Sequence, residues 1–569
     1  MTLFDRILAA RGLDDQVTRA AFLSPDYDLN KHDPFLLPDM EKAVNRLVEA
    51  LEKQDKIVIY GDYDIDGLTA TAILLDAFSS FGFKNITAYM PNRFKEGYGL
   101  TKDAIKQIAE NGADLVLTVD CGSLSTAEIE LANSLNVDVI VTDHHNVLKV
   151  QPPAIAVINP KRLLMDFPEA YEGYVVKSEY RGVKKIYPFL DLAGCGVAFK
   201  LVQALQTRLD GLTDGQEKWL LDLVALGTVC DVVTLIDENR TNVYWGLKVL
   251  ARTRRPGLRA LMAVSRVEPE SVNARSLGFA LGPRMNAAGR LETAQIALDM
   301  LIAKDSEVAY EKATLLDEMN TKRRADQDKI YKEALKQAEK YEKDSVLVVS
   351  DPDWNHGIIG IVAAKLLEKF NKPTFVLQEM GEESKGSARS YGDFSAADAI
   401  RASEDVIIKG GGHKLAAGVT METKNIDAFR ERVNQFYREQ SLSLADQQKK
   451  LLPIEDASAG IEDVTEDLIE QIARLEPFGN GNAQPIIMSS NLEVAHVRRM
   501  GSDGQHIKLD LRADSGLAMQ FLAFNAPDEF FVEVNERVNV WYQPDLNEWQ
   551  GRRSVEGRLL HVRVLPASD

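Results

Sequence analysis

The segment IVIYGDYDIDGLTA sets three carboxylates, Asp62, Asp64 and Asp66, at alternating positions directly behind a short apolar run. Carboxylates this close repel one another strongly unless cations neutralise them, so the pattern points to bound metal rather than a solvated acidic turn. Gly61 and Gly67 flank the cluster and are expected to supply tight turns. Two further apolar runs end in matching chemistry: Asp120 follows LVLTV, and Asp143-His144-His145 follows VIVT. Asp231 closes the apolar stretch ALGTVC. Oxygen donors with imidazole suit a hard divalent cation, Mn²⁺ or Mg²⁺, better than a thiolate-seeking metal. Several carboxylates and one imidazole can hold two such ions roughly 4 Å apart, a pair that stabilises both the attacking and the leaving oxygen of a phosphoryl displacement.

Such residues need strand ends to bring them together. Short runs rich in β-branched residues, at 56–60, 86–91, 114–120 and 137–143, alternate with helical segments of ten residues or so. This is the signature of a parallel sheet covered on both faces. A doubly wound sheet places its site outside the carboxyl ends of its strands, where these polar residues fall. From about 190 to 300 the pattern is mostly helical, with Gly-rich breaks at AGCGVAF and LGPRMNAAGR. Residues 304–343 are highly charged and lack Gly and Pro, with Leu315, Met319, Ile330, Ala334 and Ala338 at helical spacing. One long connecting helix is expected there. The fold class is therefore α/β, in five parts: an N-terminal helical segment (1–50), the doubly wound parallel-sheet domain (51–303), the connecting helix (304–343), a smaller α/β domain (344–445), and a C-terminal OB-like β-barrel (446–569) built from five alternating strand patterns.

With 67 Lys+Arg against 86 Asp+Glu, the net charge of −19 argues against a protein that coats nucleic acid over its whole surface, while leaving room for a local basic groove. The 569 residues, 45% hydrophobic and 27% charged, describe several folded domains. No run approaches the ~18 apolar residues of a membrane span. The N-terminus has no export-signal pattern, and Cys121, Cys195 and Cys230 are too scattered for a disulfide framework or zinc knuckle. A cytoplasmic location without membrane association is expected.

GDYDIDG, TVDCG, VTDHHN and GTVCDVV stand in the order of the motifs of the DHH phosphoesterases, and GGGHKLAAG resembles the glycine-rich motif of their DHHA1 partner domain. HDPFLLPDMEKAV (32–44), LGPRMNAAGRLETA (281–294), GSARS (386–390) and LEPFGNGNAQP (475–485) narrow the resemblance to single-strand-specific 5′→3′ exonucleases. The resemblance implies metal ligands at Asp64, Asp66, Asp120 (bridging), His144 and Asp231. Small pyrophosphatases of the family carry a histidine where this chain has Tyr60, leaving Asp62 to substitute directly or through water. His145 would meet the scissile phosphate, Asp143 would orient a histidine, and Arg284 or Arg290 would supply a cation. Arg93, Ser387 and Arg389 are the candidates for a terminal-phosphate pocket, with Gly410, Gly411 and Gly412 permitting close backbone approach to a phosphate and His413 able to reach it. In the barrel, Arg498, Arg499, Lys508, Phe521, Trp541, Trp549, Arg552 and Arg553 mix aromatic and basic groups suited to single strands. The activity so implied is release of 5′-mononucleotides from single-stranded DNA by two-metal hydrolysis, in DNA repair and recombination. The partners would be single-stranded DNA, a single-strand-binding protein and a RecQ-type helicase, with the chain acting as a monomer. The alternative is a DHH phosphodiesterase acting on short oligonucleotides or cyclic dinucleotides, which would need no barrel. Residues 164–187 are longer than the family pattern.

Overall fold

The computed structural model describes residues 1–166, 171–172, 175–176, 186–501, 504–527, 530–549 and 551–566, so most of the 164–187 stretch lies outside the described residues. Two compact units divide the chain, one of residues 1–317 with 453–569 and the other of residues 318–452.

The first unit is organised by five parallel strands: β1 (Ile57–Tyr60), β2 (Ile86–Tyr89), β3 (Leu115–Val119), β4 (Asp138–Thr142) and β5 (Ala156–Ile158), in the order β2-β1-β3-β4-β5. Buried aliphatic runs such as IVIY and LVLTV are what a sheet covered on both faces requires. Helices α1 (Lys102–Glu110) and α2 (Thr126–Ser134) cover one face, where Ile105, Ile108, Ile129 and Ala132 join Val58, Val116, Val139 and Val141 in one core. The other face is covered by α3 (Ile65–Phe81), which follows β1 in the chain, and α4 (Gly194–Gln206). Behind these pack α5 (Leu221–Cys230) and α6 (Asp237–Leu250). Strand order reverses beside β1, and the β1–β3 and β3–β4 pairings are in direct register (Tyr60 with Thr118, Val119 with Thr142). The residues that follow β1, β3 and β4 are therefore forced into one crevice.

The C-terminal module belongs to the same unit. Its strands β11 (Ile487–Met500), β12 (His506–Arg512), β13 (Ala518–Ala523), β14 (Arg537–Trp549) and β15 (Arg552–Val564) run in the order β11-β12-β13-β15-β14, and β14 pairs back onto β11 to close a barrel. The N-terminal Leu3, Phe4, Ile7 and Leu8 are buried in this barrel's core rather than against the parallel sheet.

The second unit carries a five-stranded mixed sheet of β6 (Leu347–Asp351), β7 (Thr374–Met380), β8 (Glu383–Arg389), β9 (Lys409–Gly412) and β10 (Ala416–Glu422), in the order β9-β10-β8-β7-β6, with helix α7 (Ile359–Phe370) packed on β7 and β8. The charged segment forms one 35-residue helix, Ser306–Lys340. Met319, Ile330, Ala334 and Ala338 are buried along it, but Leu315 is 37% exposed and its neighbour Leu316 is buried instead.

Candidate metal centre

Asp64 caps the N-terminus of α3, its carboxylate accepting from the Asp66 and Gly67 N–H groups at 2.9 and 3.2 Å. This places Asp66 in the helix's first turn, where the Gly194 and Cys195 N–H groups at the start of α4 donate to its two oxygens, Cys195 at 2.8 Å. Asp120 leaves β3 in the left-handed region (φ 61°), a conformation Asp tolerates better than most residues. Glycines let the helices close on these carboxylates. A Cβ at Gly194 would lie 2.8 Å from the Asp120 Cβ, and one at Gly227 would lie 2.6 Å from the Cys195 Sγ. Gly61 and Gly67 serve the same end rather than the expected turns. Gly67 lies inside α3, and a Cβ there would meet the Asp62 backbone at 2.6 Å, while one at Gly61 would meet the Thr71 hydroxyl at 2.5 Å.

His144 Nε2 lies 3.1 Å from Asp120 Oδ1, 3.5 Å from Asp231 Oδ2 and 3.7 Å from Asp66 Oδ2. Asp231, at the end of α5, is the one of these donor residues most distant in sequence from β1. The donor atoms fall into three triplets, each within 4.8 Å: Asp66-His144-Asp231, Asp62-Asp64-Asp120 and Asp120-His144-His145. Beside them, Asp143 Oδ1 lies 2.9 Å from His145 Nδ1 and also accepts from the His144 N–H at 2.7 Å. Tyr98, absent from the sequence reading, donates its hydroxyl to the Asp120 carbonyl (3.1 Å) and lies 2.9 Å from His145 Nδ1.

The donor set fits hard cations on two counts. Among the described residues, Asp62 Oδ1, Asp120 Oδ1 and both ring nitrogens of His144 are buried without a hydrogen-bond partner, a costly arrangement that a ligated ion would relieve. Burial, followed by the charges of neighbouring carboxylates, raises the pKa of Asp62, Asp64 and Asp120, and pushes that of Asp231 up to about 10. Burial drives His144 down to about 4, leaving the neutral imidazole that ligation requires. Burial also acts to raise Asp143, but its hydrogen bond from His145 and the charges of both histidines outweigh burial and hold it well below the usual carboxylate range. Clustered carboxylate oxygens with an imidazole correspond to Mn²⁺ or Mg²⁺ chemistry.

The structure does not bring every expected residue to this site. Arg93 stands over the Tyr63 ring (5.2 Å to its centroid), and both Arg93 and Arg290 bring positive charge to Tyr63 beside the carboxylates. Arg284 instead pairs with Asp317 at 2.7 Å and donates to the Ala280 carbonyl. In the second unit, Ser387 and Arg389 point from one face of β8, and Arg389 Nη1 donates to the Ser387 hydroxyl at 3.3 Å. A Cβ at Gly360, in the first turn of α7, would lie 2.9 Å from Ser387 Oγ and 3.2 Å from Arg389 Nη2. Gly411, Gly418 and Ser387 occupy one row across β9, β10 and β8, so two positions beside Ser387 carry no side chain. His413 begins the exposed turn after Gly412, its N–H donating to the Ala416 carbonyl.

Two barrel aromatics are corrections. Phe521 is fully buried in the core. Trp541 is only 9% exposed, donates its indole N–H to Glu455 at 2.9 Å, and lies under the Arg563 guanidinium, so it presents no open face for a base. The Trp549 side chain lies outside the described residues. Arg553 is paired with Glu466 and Glu470, Arg499 covers the Phe531 ring, and Arg552 is exposed at the start of β15. The register adds a residue that the sequence reading missed. Arg498 faces Lys508, Lys508 faces Leu522, and Leu522 faces Arg558, forming one outward row across four strands.

Comparison with known proteins agrees with this geometry. Residues 56–228 match the DHH family N-terminal domain, 343–439 the DHHA1 domain, and 455–561 the RecJ OB domain. The chain is 35% identical to the single-stranded-DNA-specific exonuclease RecJ of Bacillus subtilis, over 97% of this chain and 66% of that protein. It is 33% identical to the RecJ of Dickeya dadantii, over 93% and 91%. Among solved structures, RecJ of Thermus thermophilus in complex with Mn²⁺ superposes with a TM-score of 0.80 at 28% identity, covering 99% of this chain and 76% of that one. The same protein with Mg²⁺ gives 0.74 at 27% identity, covering 99% and 75%.

Proposed function

The chain belongs to the RecJ family of single-stranded-DNA-specific exonucleases, and on that premise we propose that it is a metal-dependent exonuclease that removes 5′-mononucleotides from the 5′ end of single-stranded DNA, in DNA repair and recombination. The observation that carries this reading is the convergence of Asp66, Asp120 and Asp231 within 3.7 Å of one buried imidazole nitrogen. Asp62, Asp64, Asp66, Asp120, His144 and Asp231 would hold Mn²⁺ or Mg²⁺, with Asp120 common to two of the triplets. When bound, the cations offset negative charge developing on the attacking and leaving oxygens.

The chain's own residues do the rest. His144 supplies a neutral ring nitrogen. Asp143 and Tyr98 engage one nitrogen of His145 and so leave its other nitrogen to meet the scissile phosphate. Arg93 and Arg290 add positive charge beside Tyr63, where a phosphodiester would approach. Ser387 and Arg389 would take the terminal 5′-phosphate through charge-assisted bonds, over a floor that Gly411 and Gly418 keep free of side chains. The barrel's Arg498-Lys508-Arg558 row would follow the backbone of a long strand, which supports a polymer over a dinucleotide as substrate.

The test uses single strands labelled at either end, with Mn²⁺ or Mg²⁺ and with the Asp120→Ala variant. Label at the 5′ end should leave first as a mononucleotide. The variant should lose cleavage while still binding the strand. Initial release from the 3′ end, or full activity in the variant, would overturn the reading.

A further inference from the structure

The motif LEPFGNGNAQP lies in the C-terminal module, yet part of it grips the metal centre's own loop. Immediately after Asp231, Val232 stands at φ 61° and is 64% exposed. A β-branched residue in the left-handed region is strained and persists only where its surroundings fix it. Its carbonyl is held by the Asn480 side-chain amide at 2.9 Å, and the Asn480 carbonyl in turn accepts from the Leu235 N–H at 2.7 Å. Glycine on each side leaves room for this contact. A Cβ at Gly479 would lie 2.6 Å from the Leu235 side chain, and one at Gly481 (φ 72°) would lie 3.2 Å from Thr234. The grip is anchored on both sides. Buried Arg240 donates to the Leu475 and Glu476 carbonyls, Asn482 Nδ2 ties together Leu475 and Pro477, and Asp191 fixes Thr234 through two hydrogen bonds.

We propose that Asn480, with Gly479 and Gly481, is a positioning latch: the C-terminal module holds Val232 in its strained conformation and thereby sets Asp231 for metal binding. The module then contributes to cation affinity as well as to strand binding. This rests on Asp231 being a ligand, and Asp231→Ala is the arm of the experiment that tests that separately.

The experiment titrates Mn²⁺ into the full-length chain by calorimetry and follows kcat, KM, and strand binding in EDTA. Asn480→Ala should weaken Mn²⁺ about tenfold, as loss of a residue supporting a ligand typically does. It should lower kcat while KM and strand binding in EDTA stay within twofold. Gly481→Ala, which disturbs the same contact by a different route, should act in the same direction and serves if the first variant folds poorly. Adding Val232→Gly to Asn480→Ala should recover most of the lost affinity, because glycine adopts φ near +60° unaided. That recovery distinguishes a latch from general destabilisation. Unchanged Mn²⁺ affinity in Asn480→Ala and Gly481→Ala, with Asp231→Ala impaired, overturns the latch alone. Absence of rescue by Val232→Gly overturns it also. Unchanged affinity in Asp231→Ala overturns the ligand assignment and the latch with it.

Discussion

Replacing Asp231 by Asn should make the metal-free protein more stable and remove the stability that metal adds. Burial first, then the charges of Asp66 and Asp64, lift the Asp231 pKa from 3.8 to about 10. The folded state therefore binds more protons than the unfolded chain, so the stability of the metal-free protein falls as pH rises from about 4 toward about 10. At neutral pH the span above 3.8 is roughly three pH units. At ~1.4 kcal/mol per unit, ionising Asp231 among its interacting carboxylate neighbours costs folding on the order of 4 kcal/mol. An amide of the same shape removes that cost together with the ligand charge. The assay is thermal melting of wild type and Asp231→Asn between pH 5 and 9, in EDTA and in Mn²⁺. In EDTA the variant should melt higher, by a margin that grows with pH. In Mn²⁺ that margin should shrink and then close, because a cation adds about 2.7 kcal/mol at 100 times its Kd, and about 4.1 kcal/mol at 1,000 times, to the protein able to bind it. A variant that melts lower than wild type in EDTA at pH 8, or a gap that does not narrow on acidification, would refute this electrostatic account.

Other consequences are independent of that one. Arg389→Ala should abolish the preference for 5′-phosphorylated over 5′-hydroxyl ends. The charge-assisted bonds at stake, about 1.5–3 kcal/mol, correspond to roughly 10- to 100-fold in kcat/KM, and equal loss on both ends would count against the pocket. Arg558→Ala or Lys508→Ala should raise KM for long strands and reduce the slope of log K against log salt by about 0.7 each. A slope identical to wild type would remove that row from the strand's path.

Much of the site is legible in the sequence because its chemistry is local to strand ends. Asp62, Asp64, Asp66, Asp120 and His144 each follow an apolar run of four or five residues, and a parallel sheet collects whatever follows its strands. Tyr98 and the α4 N–H groups on Asp66 were not legible, because their roles depend on contacts 22 to 129 residues away in the chain. The barrel aromatics were misread for two different reasons. Phe521 alternates with Met519 and Ala523 on the inward face, whereas Trp541 is covered by Glu455, His561 and Arg563 from other segments. Gly67 looked like a turn because its neighbours are polar, but the helix starts earlier, with Asp64 as its cap, and the glycine makes room for the Asp62 backbone. Leu315 and Leu316 are adjacent, so helical spacing alone could not choose which of them faces inward.

The proposed function requires separate segments of the chain to build one two-cation centre. Crystals soaked in Mn²⁺ and measured at the manganese absorption edge address it directly. Two anomalous peaks should appear, together contacted by Asp64, Asp66, Asp120, His144 and Asp231, with Asp120 touching both. Peaks confined to other residues, or none at saturating Mn²⁺, would contradict it.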